Sequence, residues 1–304
     1  MTLFRWEGII EIRPMPREIA LIGTLLFSPL LLAAPITVSG TFAFQGAQSV
    51  TDGHLRYAPT GADPLDQHIV IWMTAHQSAR PISSYSVEMT KPLHVIIVDS
   101  SLSTFLHIHP ALGTDGLFSI DQRFPAPGTY YLYADGIPNN GDHQVFRFVL
   151  RVGKAAATRQ PALVPTGREL TVGPYTVDLS KARLSAGRID ELEVGVYEGG
   201  APAKDLHPYL GAPAHAVFLN ARDLSYVHVH PMPEGMEMKG MDMKGMNMPG
   251  MNMSTRTMDL PESASIPATM VLHVAVKEPG LYKMWLQFRG GKQLYVAPFV
   301  LRAE

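Results

Sequence analysis

Short apolar runs alternate with turn residues along most of the chain. The runs are rich in valine, isoleucine and aromatic residues, and glycine, proline, asparagine or aspartate separates them. This pattern is typical of β-strands, and few stretches show the 3.6-residue period of a helix. Strands are predicted over 41–44, 68–74, 93–99, 104–109, 117–123, 129–134, 144–152, 191–197, 270–276, 281–288 and 293–301, with an edge segment over 81–90 and a turn at Asp52-Gly53. The spacing of strands and turns predicts β-sandwich architecture.

One pair of predicted strands occurs twice. In both copies a histidine is followed 13 residues later by His-x-His-Pro, and two prolines precede it at identical offsets. The histidines are His94, His107 and His109 in the first copy and His215, His228 and His230 in the second. Such internal duplication predicts two similar structural units.

Each copy is predicted to form a β-hairpin that gathers its three histidines. In an antiparallel pair of strands, the residue numbers of two opposed positions always add up to the same value. A turn at 100–103 therefore sets His94 opposite His109. His107 lies two residues from His109 and shares its face. The other face is apolar and suits a core: Leu93, Val95, Ile97, Leu106 and Ile108 in the first copy, and Ala216, Phe218, Val227 and Val229 in the second.

The chain of 304 residues is long enough for two domains. We predict an all-β protein with two tandem antiparallel β-sandwich domains of immunoglobulin-like or cupredoxin-like type. Residues 1–37 are assigned to a signal peptide or membrane anchor, 38–153 to the first sandwich, 154–166 to a linker, and 167–304 to the second sandwich with an insertion over 232–258.

The N-terminal region predicts export. An apolar run of 16 residues, 19–34, follows Arg13 and Arg17; it is short for a membrane span and resembles the apolar region of a signal peptide. An uncleaved anchor is the alternative, and translation could start at Met1 or Met15. We expect a periplasmic or other extracytoplasmic protein, in contact with the inner membrane only if this segment is retained.

Composition narrows the possible chemistry. A net charge of −2 without a basic block argues against a nucleic-acid partner. The chain has no cysteine, which excludes disulfides and thiolate metal sites. Any metal must therefore be held by histidine, methionine or carboxylate.

Three imidazoles on one strand face suit Cu(I), Cu(II) or Zn(II), with a position left for a further ligand. Aligning the Pro-Gly pairs at 127–128 and 279–280 places Asp121 at the position of His273, so each half offers one more candidate ligand from a neighbouring strand. The alternative is that the triads are architectural and hydrogen-bond across the sandwich. His54, His68, His76, His143 and His207 are interpreted as ordinary residues.

A methionine-rich insertion has no counterpart in the first half. It consists of four Gly-Met-x-Met-x repeats and holds eight of the 16 methionines: Met236, Met238, Met241, Met243, Met246, Met248, Met251 and Met253. Thioether sulfur prefers soft ions such as Cu(I) or Ag(I), and no strand or helix period would bury these side chains. Oxidant scavenging and an insertion without consequence are the alternatives.

Two resemblances accompany these motifs. Pro-x-His, His-x-His-Pro and the later Phe-Pro-x-Pro-Gly-x-Tyr resemble exported bacterial β-sandwich proteins of the YtkA-like kind, over Pro92 to Tyr130 and Pro213 to Tyr282. The Met-x-Met repeats resemble the methionine-rich segments of periplasmic copper- and silver-resistance proteins. These resemblances imply export and copper handling, and no catalytic residue follows from them.

We therefore predict an exported copper-binding protein that chaperones or sequesters copper, with silver or zinc as other possible ions. A copper efflux or delivery protein is the expected partner. Two alternatives stay open: an oxidase-like copper enzyme, and a structural or adhesive sandwich pair whose histidines are architectural.

Overall fold

A computed structural model describes residues 34–44, 48–139, 141–154, 162–233 and 259–304. They belong to one compact unit that spans Leu32–Glu304. The regular elements in these ranges are β-strands, and this part of the chain contains no helix with the length and apolar character of a membrane span. Residues 1–33 of the predicted signal or anchor segment and the methionine repeats lie outside the described residues, whereas Ile36 and Thr37 belong to the first strand.

The first domain is a sandwich of two five-stranded sheets. Its strands are β1 (Ile36–Ser39), β2 (Thr41–Phe42), β3 (Thr51–Pro59), β4 (Asp66–Ala75), β5 (His94–Asp99), β6 (Phe105–Ile108), β7 (Ala111–Leu112), β8 (Phe118–Arg123), β9 (Gly128–Gly136) and β10 (Gln144–Val152). The outer sheet has the order β1-β3-β4-β8-β7, and the inner sheet has the order β2-β10-β9-β5-β6. The histidine hairpin, β5 with β6, thus ends the inner sheet.

The second domain repeats this plan. Its strands are β11 (Glu169–Val172), β12 (Tyr175–Leu179), β13 (Arg183–Leu184), β14 (Arg188–Glu198), β15 (Ala201–Pro202), β16 (Leu206–His207), β17 (Ala214–Asn220), β18 (Tyr226–Val229), β19 (Met232–Pro233), β20 (Thr269–Val276), β21 (Gly280–Gly290) and β22 (Gln293–Ala303). The outer sheet is β11-β12-β14-β20-β19, with β15 on β14. The inner sheet is β13-β22-β21-β17-β18, with β16 on β21. The prediction of two tandem, mainly antiparallel β-sandwiches is confirmed.

Each sandwich encloses its own apolar core. In the first domain Val95 and Ile97 of β5 pack with Leu132 of β9 and with Leu55 and Ile69 of the outer sheet. The predicted apolar face of the hairpin is therefore buried between the two sheets. Alternation along the strand directs residues 94, 96 and 98 away from this core.

A third apolar cluster joins the two domains. In this cluster Ile96, Val98 and Tyr133 of the first inner sheet pack with Val217 and Trp285 of the second. The full cluster of buried residues is Ile96, Val98, Leu102, Tyr133, Val145, Val217, Leu219, Tyr226 and Trp285. The two inner sheets thus face one another through the same surface that carries the histidines.

The contact between the domains is approximately twofold symmetric. Phe105 stacks on Trp285 with ring centroids 5.2 Å apart. In the equivalent contact with the domains exchanged, Tyr226 stacks on Tyr133 at 4.8 Å. The same patch on each domain therefore meets its counterpart, which is the arrangement of a twofold homodimer interface within one chain.

Two segments differ from the sequence-based prediction. Asp52-Gly53 lies inside β3 rather than in a turn. Gly53 faces the second sheet, where an added β-carbon would lie 2.3 Å from Cγ of Phe146, so the glycine permits close sheet packing. Residues 81–90 form isolated bridges rather than a strand, because the prolines at 81 and 92 lack the N–H groups that a ladder needs.

Trp285→Ala is expected to lower the free energy of unfolding by about 3–5 kcal/mol, since the indole is 1 % exposed and removing it leaves a large cavity between the domains. Chemical denaturation measures this change. Val149→Ala, at a side chain that is 42 % exposed, is the matched control and should change the stability by less than about 0.5 kcal/mol. Equal effects of the two substitutions would contradict the described interface.

Candidate metal centre

The first hairpin brings together the three histidines of its copy, here called the first triad (His94, His107 and His109). Ile96 pairs with His107 and Val95 with Ile108, which is the register predicted from the sequence. The Asp99 carboxylate accepts hydrogen bonds from the backbone N–H groups of Ser103 and Thr104, at 2.8 and 2.6 Å. This tight turn fixes the register, and with it the face on which the imidazoles lie.

The second hairpin repeats the arrangement with the second triad (His215, His228 and His230). Val217 pairs with His228 and Ala216 with Val229. At the position equivalent to Asp99 the second turn has an amide, and Asn220 Oδ1 accepts from the N–H of Arg222 at 2.9 Å. The two copies thus build the same local structure from different turn residues.

Nitrogen atoms of each triad point at one another. In the first triad, His94 Nδ1 lies 3.2 Å from His107 Nε2, and His109 Nε2 lies 3.2 and 3.1 Å from these two atoms. In the second, His215 Nδ1 lies 3.3 Å from His228 Nε2 and 3.0 Å from His230 Nε2. The first set converges on a point, as the sequence predicted, and in the second set the Nε2 atoms of His228 and His230 both approach His215 Nδ1.

Hydrogen bonds on the far side of the rings determine which nitrogens carry protons. His94 Nε2 is 3.0 Å from the carbonyl oxygen of Glu88, and His215 Nε2 is 2.9 Å from that of Tyr209. A carbonyl can only accept, so both Nε2 atoms are protonated and both Nδ1 atoms of the neutral rings present a lone pair. The irregular segments before β5 and β17 supply these carbonyls.

The second histidine of each triad is fixed by the opposite domain. His107 Nδ1 donates to Oε1 of Gln287 at 2.8 Å, and His228 Nδ1 donates to Oδ2 of Asp135 at 3.3 Å. The Nε2 atoms of both rings therefore present lone pairs as well. In each triad two lone pairs face one another across 3.2 or 3.3 Å, so the space between them is filled either by the Nε2–H of the third histidine, His109 or His230, or by a cation.

Burial sets the protonation state of the cluster. Loss of solvation, followed by the repulsion that a protonated His228 would exert, lowers the pKa of His94 to about 4. Burial, followed by the charges of His94 and Lys91, lowers the pKa of His109 to about 3. Burial also holds the pKa values of His107, His215 and His230 well below the usual range. These rings are neutral at pH 7, the form that binds metals.

A buried carboxylate supports the second triad. Asp135, 4 % exposed, also accepts from the Tyr226 hydroxyl at 3.0 Å and makes a close hydrogen bond with His143 Nε2. Burial alone would raise the pKa of Asp135, but the charge of His143 and the hydrogen bonds from His143 and His228 hold it well below its usual range. Burial would lower the pKa of His143, yet the Asp135 charge and hydrogen bond raise it. Asp135 is therefore ionised.

The nitrogens of the first triad fit a transition-metal ion. They form a nearly equilateral triangle with sides of 3.2, 3.2 and 3.1 Å. The centre of this triangle is about 1.8 Å from each nitrogen, close to the roughly 2.0–2.1 Å of zinc–imidazole bonds, so His94, His107 and His109 would together hold an ion of this kind. Ligand atoms of the first triad, and of His107 with His215 and His228, lie within 4.8 Å of one another. The cluster can hold metal.

The other predicted ligands lie elsewhere or outside the described residues. Asp121 is in the outer sheet, where its carboxylate is 2.6 Å from His68 Nδ1. His273 is also in an outer sheet and lies 3.6 Å from Glu191. Neither residue is brought to a triad. The methionines of the insertion, Met236, Met238, Met241, Met243, Met246, Met248, Met251 and Met253, lie outside the part of the chain that the structure describes.

The residues that support the triads were not predicted from the sequence. Asp135 and Gln287 lie on β9 and β21, far along the chain from the histidines that they contact. His143 was interpreted as an ordinary residue but belongs to the Asp135 hydrogen-bond network. The remaining scattered histidines have ordinary partners: His54 contacts Thr74, His76 contacts Asp52 and Ser49, and His207 contacts Ala264.

Fold and site together define a class of protein: a tandem β-sandwich whose paired inner sheets carry two histidine triads able to hold metal. The chain belongs to the family described as a domain of unknown function (DUF8832), whose profile matches residues 57–154 and 170–304. The match has two parts, one in each sandwich. A comparison with curated proteins found no match.

Proposed function

We propose that this protein binds copper through its histidine triads and acts outside the cytoplasm as a copper chaperone or sequestration protein. The observation that carries the proposal is the pair of lone pairs fixed face to face in each triad, His94 with His107 and His215 with His228. Architectural histidines would direct a donor at an acceptor in these contacts. In these two contacts the donors of all four rings are engaged with groups outside the triad, and the approach of a third imidazole to the same lone pairs supplies the further ligand that a cation needs.

Copper is favoured over zinc by the rest of the sequence. Imidazole alone accepts Cu(I), Cu(II) and Zn(II). The four Met-x-Met repeats add soft, uncharged sulfur ligands that prefer Cu(I) or Ag(I). The first repeat begins at Gly235, five residues after His230 in the sequence. We infer that the repeats capture Cu(I) and pass it to the histidines.

The proposed location and partner follow from the same chemistry. The apolar segment 19–34 supports export, and a periplasmic copper chaperone requires a protein that delivers or removes the ion, such as a copper efflux component. Within the described residues, His107, His109 and His230 are partly buried, whereas His94, His215 and His228 are buried. This geometry suits slow exchange of a held ion.

Titration of the metal-free chain with Cu(I) under reducing conditions and Cu(II) under oxidising conditions, followed by elemental analysis, tests the proposal. We expect bound copper and a higher melting temperature, since a ligand that binds only the folded state stabilises it by about 4 kcal/mol at a concentration 1,000 times its dissociation constant. Unchanged melting together with unbound copper would assign the histidines an architectural role.

Deletion of residues 235–254 separates the two kinds of ligand. The variant should bind fewer Cu(I) ions per chain, whereas its Zn(II) affinity should be unchanged, because thioethers contribute little to Zn(II) binding. Competition with a chromogenic chelator measures both affinities. Unaltered Cu(I) stoichiometry and affinity would show that the repeats do not take part in capture.

A further inference from the structure

The two triads occupy one place in the molecule rather than two. Across the domain boundary, the ring centroids of His107 and His215 are 5.0 Å apart, and those of His94 and His215 are 6.1 Å apart. His228 lies 5.8 Å from His94 and 5.6 Å from His107. Within a triad the centroids are 4.5 to 5.5 Å apart, so one of these four separations lies in that range and three are only slightly longer. The six imidazoles therefore form a single cluster.

Each domain supports the triad of the other domain through a hydrogen bond, but the two supporting side chains differ. Asp135 pairs with His94 across the strands of the first domain, and Gln287 pairs with His215 at the equivalent place in the second. Each side chain reaches over the boundary to the other domain's triad. The second triad is thus supported by a carboxylate and the first by a neutral amide.

Resting on the proposed function, we propose that the six histidines form one two-ion centre in which the second triad binds its ion more tightly than the first. A carboxylate behind a metal-binding imidazole orients the ring and increases its basicity, whereas an amide oxygen orients the ring without adding charge. Asp135 and Gln287 are positioning residues in this centre, since neither would touch an ion. Their difference makes two nearly symmetric sites unequal.

Cu(II) titration of the full chain tests whether the ions are neighbours. We expect two ions to bind in separate steps. The electron paramagnetic resonance spectrum should be that of an isolated Cu(II) ion after one equivalent. After two equivalents it should lose that intensity and show a half-field transition from a spin pair. Two isolated-ion spectra at full occupancy, or a single bound ion, would overturn the two-ion centre.

Substitution of Asp135 and Gln287 tests the order of binding. The tight step is binding of an ion to the second triad, and the weak step is binding to the first triad. His230→Ala should remove the tight step, and His109→Ala should remove the weak step. Asp135→Asn should weaken the tight step by about 10–100-fold, the range for loss of an outer partner of a metal ligand. Gln287→Glu should strengthen the weak step. In the chain that carries both exchanges, His109→Ala should instead remove the tight step.

The outcomes separate this inference from the function on which it rests. If the chain with both Asp135→Asn and Gln287→Glu keeps the original order of the two steps while copper still binds, these two residues do not set the relative affinities, and the proposed function stands. If the wild-type chain binds no copper, the proposed function itself fails. Circular dichroism checks that each variant is folded. Gln287→Glu removes no group from the buried Asp135 network, so its effect on the weak step tests the inference even if Asp135→Asn fails to fold.

Discussion

The chain carrying His94→Leu and His215→Leu is expected to lose metal-dependent stabilisation. These residues are 5 % and 0 % exposed, and each contributes one of the two lone pairs that face one another in its triad. Leucine is of similar size and offers no ligand atom. Loss of a hydrogen-bond partner behind a metal ligand lowers metal affinity by up to about 100-fold. Loss of the ligands themselves should therefore lower the affinity for Cu(II) by more than about 100-fold. Melting curves with and without copper measure the loss.

The matched control replaces histidines that lie outside the triads. His68 and His76 have half-exposed side chains, and His68→Leu with His76→Leu should leave both the copper affinity and the shift in melting temperature unchanged. If the control chain lost as much affinity as the triad chain, histidines on the surface rather than the triads would bind the metal.

The metal-free protein is expected to lose stability as the pH falls from 6.5 towards 4. The folded-state pKa of His94 is about 4, below the unfolded value of 6.5, so the unfolded chain binds more protons in this interval. The stabilisation is complete above the unfolded pKa and decreases as the pH falls. His94 alone should cost about 2 kcal/mol between pH 7.5 and pH 5. The other lowered pKa values act in the same direction.

Urea denaturation in the presence of a chelator measures this dependence. The variant with His94→Leu and His215→Leu is the informative comparison, because its stability should decrease less steeply between pH 7.5 and pH 5. A wild-type stability that is the same at the two pH values would show that the imidazoles are not buried in their neutral form.

The hairpins could be predicted because their determinants are local. The constant sum of paired positions and a short turn suffice to place His94 opposite His109, and strand alternation suffices to place Val95 and Ile97 in a core. The same alternation also places apolar residues on the face that carries the histidines. Ile96 and Val98 share the histidine face, so that face had to be covered by something. What covers it was not encoded in any local pattern.

The residues that fix the tautomers could not be found in this way. Asp135 and Gln287 act across a boundary between domains, at 93 and 180 positions from the histidines that they bond. The alignment that equated Asp121 with His273 established equivalence but not proximity to the triads. Both positions belong to cross-strand pairs of histidine with a carboxylate, His68 with Asp121 and Glu191 with His273, on the outer sheets.

The near-twofold contact between the inner sheets has a consequence for any polypeptide that contains one repeat alone. The first repeat alone would expose Ile96, Val98 and Tyr133 to water as a continuous apolar surface, and the second repeat alone would expose Val217 and Trp285. Self-association through that surface would restore the cover and assemble six imidazoles from two identical chains. Joining the repeats in one polypeptide removes the dependence of assembly on concentration. It also frees each half to change by itself, as an aspartate on one side and a glutamine on the other illustrate.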